Sequence, residues 1–200
     1  MKFLIKPFVF YLFLIGISLG LILSKAFPAM CEYYSSLYHI DVQTFATGLG
    51  SKLGYWGIIL AIFSRNFILV SILLIGPHII ASTCARNNQD PKKLLILFTI
   101  CSMITYGFFP YGMFIGNLLL KFKPEVLLKW LLYFIPHGPL ENFIILSAGS
   151  TGMFIIDRIN KGEAIREILN FKKIEKKLIL AVISLAIVSL IETFVSPLLL

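Results

Sequence analysis

The sequence predicts an all-α membrane protein, a polytopic helical bundle with about five transmembrane helices in a single membrane domain over residues 1–200. Of the 200 residues, 58% are hydrophobic and only 14% are charged, and the mean hydropathy is +0.89. Soluble domains have a more even balance. The segments between the apolar runs are too short to bury a core of their own. One integrated membrane domain is therefore expected, with the lipid bilayer as its first partner.

Five apolar runs approach the roughly 20 residues that an α-helix needs to cross the hydrocarbon layer. They cover residues 8–23, 66 to about 85 with Pro77 inside, 94–116, 139 or 140 to 156, and 178 to about 197. Residues 118–135 are the alternative sixth span. That span would bring Lys121, Lys123 and Lys129 into or near lipid, where charge is costly, so five spans are preferred.

Residues 1–26 are interpreted as an N-terminal anchor helix. Lys2 and Lys6 precede its apolar run, and the small residues Ser24 and Ala26 match the cleavage pattern of a signal peptide. The apolar run is long for a signal-peptide core. An uncleaved anchor is therefore preferred to cleavage after Ala26.

Basic residues orient the chain in a cell membrane. Three places hold 12 of the 18 lysines and arginines: the start of the chain, the loop after the second run, and residues 157–177. In a five-span topology these places share one side, and basic loops remain in the cytoplasm. The N-terminus is therefore predicted to be cytoplasmic and the C-terminus to lie outside.

Three segments are predicted to lie along the membrane surface. Residues 27–65 form an outer interfacial segment whose Tyr33, Tyr34 and Tyr38 suit the headgroup layer. Residues 125–135 and 163–169 are amphipathic stretches of the kind that lie on a bilayer. The basic run that follows residue 169 is expected to lie against the anionic lipid of the inner leaflet. Because a loop this close to lipid is poorly placed to bind nucleic acid, no nucleic-acid partner is expected.

The sequence Ile135-Pro136-His137-Gly138-Pro139 predicts a break before the fourth span. Pro136 disfavours helix at the preceding residue, Gly138 permits a turn, and Pro139 suits the first turn of a new helix. Such backbone is tolerated at membrane depth only where protein or water satisfies it. Pro136, His137 and Gly138 are therefore candidate structural or functional residues.

Ionisable residues at membrane depth are the other candidates. An ionised carboxylate at a helix centre costs about 3 kcal/mol, so Glu141 and Glu192 each require a partner. Arg65 and Asn66 lie at the predicted start of the second span, and a pairing of either acid with Arg65 is predicted. His137 and one carboxylate underfill a zinc site, and the HEXXH and GxSxG motifs are absent. No catalytic residue, metal site or cofactor is therefore predicted.

Small residues recur four positions apart within the apolar runs. In lipid, this spacing lets helix backbones approach closely. The pairs are Gly16 with Gly20, Gly112 with Gly116, and Ala148 with Gly152. Packing inside one bundle is preferred, with a homo-oligomer interface as the alternative.

Several of these features together resemble the stage II sporulation protein M (SpoIIM) family. They are Asn66 opening a span, Gly112 and Gly116 closing the next, Pro136-His137-Gly138 with Glu141, and Glu192 with Pro197. The resemblance runs from Asn66 to the end, so residues 66–200 are interpreted as a family-like helical core. It implies an integral membrane protein of bacteria or archaea.

The resemblance implies a non-enzymatic scaffold or anchor that organises membrane or cell-wall proteins. The sporulation member is thought to act with peptidoglycan-degrading enzymes during engulfment. The outer segments are too small for a hydrolase domain, so wall cleavage would belong to a partner. The alternative is a component of transport or peptide export, because related proteins accompany circular bacteriocins and because Pro77 and Pro136 suggest two broken spans. An intramembrane enzyme ranks third.

Overall fold

The computed structural model describes residues 5–29, 54–113, 115–116, 119, 124–168 and 171–195. Every regular element in these ranges is helical. Among the described residues, five helical stretches are long and apolar enough to cross a membrane. The predicted all-α membrane bundle with five crossings is thereby confirmed.

The first three crossings are α1 (Pro7–Ala26), α2 (Tyr55–Arg86) and α3 (Lys92–Gly107), which continues into a π-helical turn at Phe108–Met113. After the 11-residue helix α4 (Pro124–Phe134), α5 (Gly138–Gly149) and α6 (Thr151–Asn160) form the fourth crossing. The short α7 (Ile165–Ile168) precedes α8 (Phe171–Leu190), which ends in a π-helical turn at Ile191–Val195 and makes the fifth.

Helix α2 differs from the prediction at its start. It begins at Tyr55 rather than at Asn66, so the outer segment predicted over residues 27–65 is shorter. The residues before Arg65 are themselves apolar and continue the helix, and the long Arg65 side chain reaches polar partners without ending it. Arg65 and Asn66 therefore lie inside α2 rather than at its end.

Pro77 does not break α2, so the prediction of a broken span at residues 75–78 is wrong. The helix is continuous over 32 residues, and Pro77 is buried within it. A proline removes one backbone hydrogen bond, and neighbouring helices make this tolerable inside a membrane bundle. Of the two predicted breaks, the one before the fourth crossing is present. There, residues 135–137 form a turn and α5 begins at Gly138 with Pro139 in its first turn.

The segments predicted to lie at the surface have different outcomes. Helix α4, with 11 residues, is about 16 Å long and too short to cross, so a sixth crossing is not formed within the described residues. The predicted helix over residues 163–169 appears only as the four-residue α7. The tyrosines at 33, 34 and 38 lie outside the described residues.

The fourth crossing is the central helix of the bundle. Its most apolar window is 67% buried, against 22–38% for the other four crossings. Helix α5 contacts α1, α2, α3 and α8. Residues of this crossing are therefore better shielded from lipid than residues of the other crossings.

Helices α1 and α3 run parallel and meet along a seam of glycines. A Cβ atom built on Gly20 would lie 2.6 Å from the Cα of Gly112, so only glycine fits there. Gly16 packs against the backbone of α3, and Gly116 packs against Ser24. All four predicted glycines thus lie in one contact within a single chain, and Gly107 joins them.

The third predicted small-residue pair belongs to the central helix. Ala148 is fully buried in the apolar core. Gly152 lies against α3, where a Cβ atom would be 2.8 Å from the Thr99 hydroxyl. Gly149, which the sequence pattern did not single out, packs against Met103 in the same way.

The crossings alternate in direction, so the bundle has two distinct ends. Lys6, before α1, pairs with Asp157 near the end of α6. The ring of Tyr55, at the start of α2, contacts the ring of Phe194 at the end of the fifth crossing in a tilted arrangement, with centroids 5.7 Å apart. We name these the Lys6 end and the His137 end, the latter also holding the turn before α5.

Candidate functional site

Three polar side chains meet at the His137 end of the bundle. His137, Glu141 and Glu192 each present one potential ligand atom, and these atoms all lie within 4.8 Å of one another. The His137 Nε2 atom is 4.0 Å from Glu192 Oε1. His137 and Glu141 are buried, and the Glu192 side chain is 18% exposed. The sequence singled out all three residues, and the fold joins positions 137 and 192.

Local backbone structure determines how these side chains converge. His137 is the N-cap residue of α5, and its carbonyl oxygen accepts a hydrogen bond from the Glu141 N–H at 3.0 Å. The two residues are therefore one helical turn apart, and their side chains lie on the same face. Glu192 lies in the π-helical turn that ends the fifth crossing, a type of turn that often occurs at functional sites.

Arg65 and Asn66 of α2 contact the same group. The Arg65 Nη2 atom lies 3.9 Å from Glu141 Oε1, and the Asn66 side chain hydrogen-bonds to Glu141. Asn66 is buried, whereas the Arg65 side chain is 45% exposed. The predicted pairing of Arg65 with Glu141 thus forms where α2 packs against α5.

Tyr133 of α4 completes the group from the other side. Its hydroxyl hydrogen-bonds to Glu192, and its backbone carbonyl hydrogen-bonds to the His137 ring. Burial and the Glu192 carboxylate raise the pKa of Tyr133. Burial, with a smaller effect of Arg65, lowers the pKa of His137 to about 4. The imidazole is therefore uncharged at neutral pH, and its contact with Glu192 is not an ion pair.

Sequence reasoning missed Tyr133, although a signal was available. Tyr133 lies four positions before His137, the spacing at which helical residues meet. Its ring makes an edge contact with the His137 ring at a centroid distance of 5.3 Å. The predicted break concealed this relation, because a turn between the two residues made their geometry unpredictable.

A second polar cluster was also missed. The Tyr106 hydroxyl donates a hydrogen bond to Asn142 Oδ1 at 2.8 Å and lies 3.1 Å from the Tyr111 hydroxyl. Asn142 follows Glu141 in α5, so the first turn of the central helix has polar partners on two sides. This cluster links α3 to α5 through neutral groups.

The remaining predicted residues shape the turn that presents His137. Gly138 packs against the Phe134 ring, where a Cβ atom would overlap the ring. Pro136 lies between α4 and α5 and is partly buried. Both residues therefore shape the turn that places the Phe134 ring against Gly138 at the start of the central helix.

A cavity of about 480 Å³ lies between α2 and α8 at the Lys6 end. It is lined by four apolar side chains and by the polar side chains of His78, Ser82, Thr83, Arg86 and Glu175. The His78 Nδ1 atom is 2.8 Å from the Leu74 carbonyl oxygen, so one ring nitrogen is already engaged. This cavity gathers fewer convergent ligand atoms than the His137 end.

The chemistry available at the His137 end is cation or proton binding. The prediction that no metal is bound considered His137 with a single carboxylate. The fold adds Glu192 as a third ligand-type side chain, while Arg65 supplies one positive charge beside Glu141. The group is therefore richer in ligand atoms than the sequence indicated.

Comparison with known proteins identifies the family. The model of the family described as SpoIIM, stage II sporulation protein M, matches residues 9–197. The match includes α1 and so extends well before Asn66, where the sequence resemblance began. None of the curated proteins and none of the solved structures matches the chain. Because the family model covers nearly the whole sequence, the chain belongs to the stage II sporulation protein M family, which makes it a sporulation-related membrane protein.

Proposed function

We propose that this protein is a non-enzymatic membrane scaffold or anchor that organises partner proteins. Family membership links it to sporulation, and peptidoglycan-remodelling enzymes are the partners that we infer. The observation that carries the proposal is the closed apolar core between the two ends of the bundle.

The middle of the bundle is filled by apolar side chains that are 0–1% exposed. They come from four of the five crossings and include Val70, Leu73, Leu74, Met103, Ile144, Ile145, Leu185 and Val188. Carriers place polar residues along a substrate path. Among the described residues, this apolar layer separates the acidic group at the His137 end from the Lys6 end.

Hydroxyl side chains in the core bond mainly to their own helices. Thr99, Ser150 and Ser189 each donate a hydrogen bond to the carbonyl oxygen four residues earlier, at 2.8–2.9 Å. The three hydroxyl donors are therefore satisfied locally, although Ser150 Oγ also accepts a hydrogen bond from the Lys6 N–H. Within the described part of the chain, they form no continuous path of polar groups through the bundle. This arrangement supports a static framework.

The proposed orientation places the Lys6 end in the cytoplasm and the C-terminus outside the cell membrane. Lys6, Lys92, Arg158 and Lys177 lie toward the Lys6 end, which agrees with retention of basic residues on the cytoplasmic side. The His137 end would then face the cell wall. Partners that act on peptidoglycan would meet the protein there.

The start of α2 supports an outer contact surface. With 32 residues, α2 is about 48 Å long, which exceeds the roughly 30 Å of the hydrocarbon layer. Tyr55 and Trp56 at its start are 66% and 68% exposed. Aromatic side chains at this level suit either headgroups or a membrane partner.

The second candidate function is transport or peptide export, and one observation favours it. Glu141 and Glu192 belong to different crossings, yet their carboxylate oxygens lie within 4.8 Å of each other, with Arg65 and His137 beside them. Buried acidic groups of this kind occur in proton and ion relays. The second broken span that first suggested transport is absent, since α2 is continuous through Pro77.

Crosslinking in the native cell, followed by copurification in mild detergent, tests the scaffold. The tagged wild-type chain is compared with Glu141→Gln and with Glu175→Gln, a matched change at an exposed glutamate of α8 near the Lys6 end. Mass spectrometry identifies the recovered proteins. In parallel, an assay with membrane vesicles measures peptide export by each variant. All variants are compared at equal protein level.

A scaffold should recover a peptidoglycan hydrolase with the wild type and with both variants. Recovery of a transport ATPase, together with export that Glu141→Gln abolishes and Glu175→Gln leaves intact, would favour the second function. A chain that crosslinks to no other protein under these conditions would overturn the scaffold proposal.

A further inference from the structure

We propose that the His137 end binds one divalent metal ion of the zinc type through His137, Glu141 and Glu192. The ion would join the start of the central crossing to the end of the fifth. This inference does not rest on the scaffold role, because a metal ion can be bound whether or not a partner protein is present.

The three side chains supply a suitable donor set from two separate elements. One imidazole nitrogen and one oxygen from each carboxylate lie within 4.8 Å of one another. Zinc bonds to such atoms are about 2.0–2.2 Å long, which corresponds to ligand separations of about 3.4 Å in a tetrahedral shell. Side-chain rotations that bring the donors closer by up to about 1.4 Å complete the geometry. Water can occupy the fourth position, as in zinc sites with three protein ligands.

Charge at the site also favours a cation. Two carboxylates lie beside one imidazole, and Arg65 contributes one positive charge, with its Nη2 atom 3.9 Å from Glu141 Oε1. Buried charges must be paired, protonated or bound to metal. A divalent ion between the carboxylates compensates the charge of both acids, which one guanidinium alone does not balance.

Each ligand-type side chain is held by an outer hydrogen-bonding partner. The Asn66 side chain bonds to Glu141, the Tyr133 hydroxyl bonds to Glu192, and the Tyr133 backbone carbonyl bonds to the His137 ring. Metal ligands in proteins characteristically have such outer partners, and an imidazole ligand commonly bonds to a backbone carbonyl. Sequence spacing alone does not produce this arrangement, since the partners come from α2 and α4.

The donor types distinguish among metals, and the burial pattern provides access. An imidazole nitrogen suits zinc and neighbouring transition metals, whereas magnesium and calcium prefer oxygen ligands throughout. Glu192 is 18% exposed, while His137 and Glu141 are 5% and 7% exposed in their side chains. An ion can therefore enter past Glu192 and lose most of its water inside.

Metal analysis of the purified full-length protein tests this site. The detergent-solubilised chain is stripped with a chelator, incubated with Zn²⁺, passed through a desalting column and analysed for zinc by mass spectrometry. His137→Ala and Glu192→Gln are compared with His78→Ala, a matched change at the histidine in the cavity between α2 and α8. Size-exclusion profiles establish that each variant is folded and monodisperse.

The expected result is one zinc ion per wild-type chain and per His78→Ala chain, with at least a tenfold loss of retained zinc in His137→Ala and Glu192→Gln. Wild-type chains that retain no zinc would overturn the proposal. So would equal retention by His137→Ala, or equal loss in all three variants, because either result places any bound zinc elsewhere.

A spectroscopic experiment separates metal binding from a merely structural role of these residues. Co²⁺ replaces Zn²⁺ in such sites and gives visible absorption that reports its ligands. The wild type should show bands of a site with one nitrogen donor, and His137→Cys should restore binding with a new thiolate-to-metal absorption. Absence of any Co²⁺ spectrum in the folded wild-type protein would contradict the inference.

Discussion

The two ends of the bundle both carry ion pairs, but the pairs differ in burial. At the Lys6 end, Lys6 pairs with Asp157 and Arg158 pairs with Glu163, and the two acids are 42% and 33% exposed. At the His137 end, Glu141 is only 7% exposed where it meets Arg65. Water can therefore replace either partner at the Lys6 end, whereas Glu141 depends on protein groups.

This difference determines how each end responds to the loss of a charge. Exposed ion pairs contribute about 0–1 kcal/mol, because water and side-chain entropy offset the attraction. Removing the partner of a buried charge costs about 3–5 kcal/mol, because the remaining charge has no solvent. Loss of one ion-pair partner should therefore change the free energy of unfolding little at the Lys6 end and much more at the His137 end.

Replacement of Arg65 by alanine should have the largest effect. It leaves Glu141 buried beside Glu192, and because Arg65 is half exposed we expect a loss near the lower limit of about 3 kcal/mol. Denaturation by detergent, followed by circular dichroism in the presence of EDTA, measures the change. The chelator prevents a metal ion from replacing the guanidinium. A loss below about 1 kcal/mol would mean that Glu141 is effectively solvated.

Replacement of Gly20 by alanine tests the seam that lies between the two ends. A Cβ atom there would be 2.6 Å from Gly112 Cα, so α1 must move away from α3. We expect a destabilisation of about 2 kcal/mol, within the range for an overpacked core. Ser18→Ala, at an exposed position of α1, is the control and should change stability little. Equal stabilities of the two variants would show that the seam can adjust.

Replacement of Glu141 by glutamine should cost about 1 kcal/mol in the same assay with EDTA, less than the loss of Arg65. The amide keeps the shape and can still accept the hydrogen bond from Asn66, while Arg65 retains access to solvent. Comparison of Glu141→Gln with Arg65→Ala sharpens the contrast between the ends. If glutamine were the more destabilising change, the carboxylate charge would itself be required for folding.

Replacement of Arg158 by alanine should have the smallest effect, about 0.5 kcal/mol. Its partner Glu163 is one-third exposed and gains water when the guanidinium is lost. Raising the salt concentration should narrow the gap between Arg158→Ala and the wild type further, because salt screens exposed charges. A loss as large as that of Arg65→Ala would abolish the distinction between the two ends.

Much of this architecture could be predicted from local sequence features. Apolar runs predicted five crossings, and Pro136 with Gly138 predicted the break that begins α5. Prolines were informative only together with their surroundings. Pro77 is itself buried within a long helix, whereas Gly138 and Pro139 follow closely after Pro136.

Most individual residues of the site could be predicted from the sequence, but their contacts with one another could not. Glu141, Glu192 and Arg65 stood out because charge is rare at membrane depth. The contribution of Tyr133 and the position of Asn66 inside α2 were not evident. Both depend on which helices become neighbours, and hydropathy carries no information about that choice.

The sequence by itself determined that this chain is a helical membrane protein, because hydrocarbon requires backbone groups to be satisfied within helices. It also contained the family pattern that the match over residues 9–197 established. Only the tertiary structure decided that the fourth crossing lies at the centre and that His137, Glu141 and Glu192 meet. The reason is physical: helix formation depends on neighbours along the chain, whereas these contacts depend on packing between residues more than fifty positions apart.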